Sequence, residues 1–251
     1  MKNFTTLLLI LFSMSVSAQV IQSWTWSPNS GQNNEFVDAV SKKTQKYNSK
    51  KDEPRFVTLQ ITSGSSTGDY FRFRIEDEIK DFDNAPDERG QKMWMDTAVN
   101  FASMVTSEWW QVNQRASYWQ EGDNNFIKPL KRFFNYTYDG ENEADFWAFR
   151  YKVKGAIEES GADITMTTLT CFAGCSGNQV MVIFSHNNFE DLQNDNSSEW
   201  AKVYEKYNET YGVSYESDIA EFERSLTLGS FGRYSGTMMF SPEMSSPQNM
   251  N

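Results

Sequence analysis

Two arginines spaced to share one side of a strand, Arg72 and Arg74 in Tyr70-Phe-Arg-Phe-Arg-Ile75, are the residues of this chain best equipped to hold a ligand. A guanidinium presents a planar fork of N–H donors that matches a carboxylate or a polarised carbonyl. Side chains alternate across a strand, so Arg72 and Arg74 lie on one face while Phe71, Phe73 and Ile75 lie on the other. Trp24 and Trp26 share a face of an earlier strand, and Gln60 shares one with Thr58 and Thr62. If the apolar set packs on helices, Arg72, Arg74 and Gln60 turn inward, where Trp24 and Trp26 would wall a site for an anionic or carbonyl-bearing ligand. The competing reading leaves the arginines on solvated or interface sheet surface and the tryptophans in the core. It also sets a condition: an internal Arg72 needs a carboxylate nearby.

Other candidates for chemistry are sparse. His186 is the single histidine and ends a strand in Phe-Ser-His-Asn-Asn, so a histidine-ligated haem would have to use it. Without a recognisable partner it reads instead as a strand-end surface residue, and no cofactor is predicted. The oxygen-rich run 191–199 lacks the glycine and spacing of an EF-hand; a turn ending in a Ser197 or Ser198 helix cap explains it without metal. Cys171 and Cys175, the only cysteines, would lie about 13 Å apart in a straight strand. A disulfide between them therefore requires a bend at Ala173-Gly174, which the glycine makes cheap. The sequence has no Gly-x-Ser-x-Gly elbow, no phosphate loop and no nucleophile set beside a base, so catalytic residues stay unassigned.

Composition narrows the partners. The 251 residues carry 23 Lys+Arg against 34 Asp+Glu, a net charge of −11, which argues against nucleic acid or an anionic membrane. Aromatic residues make up 15% of the chain, with eight tryptophans, enough for a sizeable core. Residues 1–18 run from a lysine through a short apolar stretch to Ser-Val-Ser-Ala, the order of a cleavable signal peptide. The apolar stretch is too short to span a bilayer, so the mature chain is expected to start near Gln19 as a soluble secreted or periplasmic protein.

The elements that must position these residues recur. A strand over 20–26 precedes a helix over 33–47, then strands within 55–76 separated by Gly64 and Gly68, a second helix over 91–112 and a short strand over 114–119. Trp94, Ala98, Phe101, Val105 and Trp109 carry the helical spacing of that second helix. After a linker over 122–130 the order returns: strand 132–138, helix 143–159, hairpin 162–186, helices 198–211 and 218–224, and a strand over 231–239. Gly64 aligns with Gly174 and Gly68 with Gly177; Phe71, Phe73 and Ile75 align with Val180, Val182 and Phe184. The halves are 19–121 and 131–240, and the polar tail 241–251 is expected to be disordered.

Each half reads βαββαβ, a four-stranded antiparallel sheet with both helices on one face. The bare faces can cover each other, sheet to sheet. In element order and in its repeat, the chain resembles the dimeric α+β barrel superfamily in its fused tandem form. The resemblance implies a monomer built as an intramolecular pseudo-dimer, with a ligand held inside the barrel or between sheet and helices. It also implies relatives among cofactor-independent oxygenases, haem-linked enzymes and lyases. Three functional expectations follow: a small ligand bound between the halves, a cofactor-independent monooxygenase or haem-linked enzyme, or a non-catalytic scaffold for a partner.

Overall fold

The computed structural model describes residues 19–84, 86–120, 128–194, 197–227 and 233–247. The segment expected as a signal peptide and most of the expected linker lie outside them. The first half contains β1 (Val20–Pro28), α1 (Asn33–Tyr47), β2 (Arg55–Ser63), β3 (Tyr70–Glu76), α2 (Glu88–Asp96) and β4 (Ala102–Val112). The second contains β5 (Leu130–Tyr138), α3 (Glu143–Ser160), β6 (Thr165–Ala173), β7 (Asn178–His186), α4 (Phe189–Asn194), α5 (Ser197–Tyr211), α6 (Tyr215–Ser225) and β8 (Arg233–Phe240).

The eight strands close into one antiparallel barrel in the order β1-β3-β2-β8-β5-β7-β6-β4. Each half supplies four consecutive strands, β4-β1-β3-β2 and β8-β5-β7-β6, so the duplicated ferredoxin-like plan holds. Two seams join them. Leu59 of β2 pairs with Phe240 of β8, and Val112 of β4 pairs with Leu169 of β6. Apolar residues from both halves fill most of the lumen, among them Ile21, Leu59, Phe73, Trp110, Leu169 and Ile183. Two further cores lie outside the barrel wall, each between a half's sheet and its helices.

Glycine allows the close approach at each seam. A Cβ on Gly236 of β8 would stand 2.4 Å from the Ser63 carbonyl oxygen and 2.8 Å from the Phe133 ring. A Cβ on Gly174 would stand 2.4 Å from the Ser107 carbonyl oxygen of β4, and its φ of +83° also favours glycine. That turn brings the Cα atoms of Cys171 and Cys175 to 6.4 Å, and the two sulfurs are joined.

Three sequence expectations need correction. The helix expected over 91–112 ends at Asp96, and its second part is the strand β4. Thr97 leaves helical geometry at φ −128°, ψ −75°, with its hydroxyl donating to the Met93 carbonyl. The helical spacing of Val105 and Trp109 was coincidental: the open edge of β1 takes β4 in register from Val20↔Gln111 to Pro28↔Ala102, and ladder pairing outweighs local periodicity. Residues 114–119, expected as the fourth strand, form a 3-10 turn over Gln114–Ala116 and a single bridge from Tyr118 to Met166.

The second correction reverses a strand's facing. Phe71, Phe73 and Ile75 line the lumen, and Arg72 and Arg74 face the helices. Val57, Leu59 and Ile61 also face inward, which turns Thr58, Gln60 and Thr62 outward. The hairpin loops are equal in length, since Gln60 pairs with Tyr70 and Thr170 with Val180, so matching Gly68 with Gly177 moved the alignment of the second strands by one residue. Tyr70 thus corresponds to Val180 and Arg72 to Val182.

The third concerns the tail, of which residues 241–247 are described and packed on the first half. Pro242–Met244 form a turn whose Met244 is wholly buried against α1, and the Ser245 and Ser246 hydroxyls accept from the backbone N–H groups of Thr58 and Phe56. The tail fills the gap between α1 and β2, and its buried methionine gains more from burial than a free end would.

Gly236→Ala is expected to lower stability by about 1–3 kcal/mol through overpacking at the β2–β8 seam, read from urea midpoints, while Gly31→Ala serves as a control for positive φ in open space. The intact mass of native protein should rise by one hydrogen pair on reduction; an unchanged mass would show Cys171 and Cys175 as free thiols.

Candidate functional site

The helix-facing side of the first sheet carries a cleft of about 270 Å³, lined by Trp24, Trp26, Lys43, Phe56, Arg72 and Trp94, with Pro86, Gln91 and Met95 at its edge. Strand alternation brings Trp24 and Trp26 of β1 beside Arg72 of β3, since Trp24↔Arg72 and Trp26↔Tyr70 are register pairs. Phe56 comes from β2, Lys43 from the last turns of α1, and Trp94 from α2. The Trp26 and Trp94 rings meet edge to face at 5.2 Å, and Trp24 stacks on Phe56 at 6.3 Å.

Arg72 lies at the base of this cleft with 2% of its surface exposed. It donates through Nη1 to Thr58 Oγ1 at 2.6 Å and to the Met244 carbonyl at 2.5 Å, and through Nη2 to Thr44 Oγ1 at 2.9 Å. All three acceptors are neutral. The guanidinium also stands over Phe56 at 4.6 Å and near Trp94 at 5.7 Å. Among the described residues no carboxylate forms an ion pair with it, and burial alone draws its pKa down to about 9, which leaves it charged at neutral pH.

Two more donors converge on the same space. Lys43 Nζ donates to Asn48 Oδ1 at 2.6 Å and sits 4.6 Å from the Phe56 ring centre. Burial, then the nearby charges of Arg72 and Arg74, lower its pKa to about 7, against a weaker opposing pull from Glu53. Trp26 Nε1 is buried and donates to no described atom. The cleft therefore gathers N–H donors and aromatic walls without an acidic group among its lining.

The expected site residues thus separate. Trp24, Trp26 and Arg72 come together, but outside the barrel and beneath helices. Arg74 belongs to a neighbouring polar cleft with Glu53 and Asp77, where its Nε donates to Glu76 at 2.5 Å and its Nη2 to the Asp81 carbonyl. Gln60 lines neither. Lys43 was missed, although it lies seven residues after Phe36 on the buried stripe of α1, a helical spacing that points it at the sheet. Phe56 and Trp94 were missed as site residues because the reversed facing of β3 moved the site.

His186, expected at the surface, is instead buried at the end of β7, in a separate polar cleft lined by Lys128, Asp163, Asp191, Ser198 and Glu199. The helix-facing space of the second half, where a flat macrocycle would need room, is filled by Phe134, Tyr136, Phe146, Phe184, Trp200 and Phe222. The residues around His186 do not fit haem.

No family model and no curated protein matches the chain. Solved structures do. An anthrone oxidase-like protein superposes with a TM-score of 0.53 at 8% identity, over 90% of this chain and 92% of that one. A candidate monooxygenase from Lactobacillus acidophilus NCFM gives 0.55 at 13% identity over 92% and 97%. A chlorite dismutase variant from Candidatus Nitrospira defluvii gives 0.52 at 12% identity over 90% and 93%. At these identities the likeness is one of fold, and it runs over nearly the whole length of each protein. With its closed eight-stranded barrel and its two ferredoxin-like halves, the chain has the overall fold of these proteins, a fused α+β barrel.

Proposed function

We propose that this is an exported protein that binds a small anion with a flat, aromatic body between the sheet and helices of its first half. The single observation that carries this reading is Arg72: a buried guanidinium held by neutral acceptors at the base of an indole-walled cleft. A buried charge without a counter-charge costs several kcal/mol. A ligand carboxylate or phenolate would supply the missing charge and would also accept from Lys43 and Trp26. The volume of about 270 Å³ lies near the lower end for small-molecule sites, which suits a compact ring. Lysine and arginine in an aromatic setting also disfavour a cationic ligand.

The neighbours add a second reading. They include monooxygenases and an anthrone oxidase-like protein, and Lys43, with a pKa of about 7, would take a proton from a bound phenol or enol. The resulting anion would reduce dioxygen, one oxygen atom entering the product and the other leaving as water. A haem-linked variant would need His186, whose polar surroundings do not support it.

Arg72→Met separates function from folding. The Thr58 and Thr44 hydroxyls already donate to the Met244 carbonyl, at 3.0 and 3.4 Å, so the variant leaves that acceptor satisfied. Thermal stability should stay level or rise, while affinity for aromatic carboxylates falls by about 1.5–3 kcal/mol, roughly tenfold to a hundredfold. Tryptophan fluorescence titration with benzoate and naphthoate reads both proteins, and undiminished binding by Arg72→Met would end this assignment.

The same titration has a predicted pH dependence. A bound anion raises the pKa of Lys43 from about 7, so binding takes up a proton above that value. Affinity should be greatest below about pH 7 and weaken as pH rises beyond it, and Lys43→Met should flatten the profile. Oxygen consumption with anthrone or a quinol, lost in Lys43→Met, would distinguish the oxygenase from a binding protein.

A further inference from the structure

We infer that the open end of the barrel lumen is a second binding site, and that it takes a small primary amine in its ammonium form. This site lies on the opposite face of β3 from the first: Phe71 points into the lumen where Arg72 points into the cleft. The lumen has two layers. Its deeper part is apolar, with Phe71, Phe133, Met181 and Met238 forming the floor of a cavity of about 100 Å³ at the mouth. The rim above that floor is polar, formed by Thr25, Thr106, Glu108, Asn135 and Tyr234, beside the β2–β3 turn.

Among the described residues the rim has acceptors but no cation. Among the described residues no cation pairs with Glu108, and burial raises its pKa against the pull of the Trp110 indole. Asn135 is 93% buried, its residual exposure being 7%; its Nδ2 donates to the Tyr234 hydroxyl, and its Oδ1, buried, meets no described donor. Two acceptors thus line one cavity, one of them an acid without a counter-charge. A buried acceptor left unpaired costs free energy that an N–H from a ligand recovers.

The floor decides what kind of cation fits. A metal ion such as calcium draws on six or more oxygens and usually on several carboxylates, whereas this cavity offers one carboxyl over hydrocarbon. An alkylammonium suits both layers. Its three N–H groups reach Glu108, Asn135 Oδ1 and a rim hydroxyl, and its short chain lies on Phe71, Phe133 and Met238. The Ser63–Ser66 turn borders the entrance, so a ligand reaches the cavity without opening the barrel wall.

Calorimetric titration of the full mature protein with n-butylammonium chloride at pH 8 tests the proposal. Saturable binding is expected, weakened at least about tenfold in Glu108→Gln, as when a charge-assisted hydrogen bond becomes a neutral one. Arg72→Met should bind butylammonium as the parent does, which separates this site from the anion cleft. Tetramethylammonium, which has no N–H, should fail to compete. Circular dichroism and the thermal midpoint of Glu108→Gln establish that it is folded; should it unfold, Asn135→Leu with the same ligand replaces it. Absence of saturable binding, equal affinity in the folded Glu108→Gln protein, or displacement of butylammonium by tetramethylammonium or calcium at equal concentration would each overturn the proposal.

Discussion

A four-stranded antiparallel sheet with helices on one side has an uncovered apolar face and two open edges, and neither is tolerable in water. Here both problems have one solution. The second half covers the face, while the pairs β2–β8 and β4–β6 remove the edges. Closure gives each edge strand a partner in the other half, and it also divides the molecule into one space inside the wall and two outside it. Every candidate site follows from that division.

Alternation along β3 shows how the division works chemically. Successive residues from Tyr70 to Ile75 point outward and inward in turn, so an apolar lumen and a cationic cleft are written into one six-residue stretch. Outside, Arg72, Lys43 and Trp26 Nε1 concentrate donors. Inside, at the mouth, Glu108 and Asn135 Oδ1 concentrate acceptors. A β-sheet one residue thick thereby separates a donor-rich cleft from an acceptor-lined one, and the low dielectric of the wall between them strengthens the polar interactions of both.

The halves are duplicates in topology but not in use. Where the first half pairs Trp24 with Arg72, the second pairs Phe134 with Val182 at the corresponding register. The short α2 leaves room above the first sheet. In the second half α5 and α6 bring Trp200, Tyr207, Tyr215 and Phe222 onto the sheet and fill that room. Arg150 marks the contrast: it too is buried, yet it lies within an aromatic core and donates to the sulfur of Met166 instead of opening on a cleft. The C-terminal turn crosses back to the first half, where the Met244 carbonyl accepts from Arg72, so the tail helps to hold the residue on which the proposed anion site rests.

Much of this was legible in the chain itself. The β-rich hairpins, the two long helices α1 and α3 and the repeat of about 110 residues are set by short-range propensity and turn chemistry, which act on residues near one another in sequence. The polar and apolar alternation of β3 was equally plain, and it singled out Arg72, Trp24 and Trp26. Which face of β3 looks inward was not, because that depends on whether Phe71 and Phe73 meet the other half or the helices, a choice made by partners distant in sequence, from Phe133 to Met238. The strand β4 was hidden for the same reason: its spacing satisfied a helix, and only the vacant edge of β1 drew it into the barrel. Local sequence determined the elements and their chemistry; tertiary closure decided the side on which each acts, because burial of apolar area is a property of the whole wall and not of any one strand.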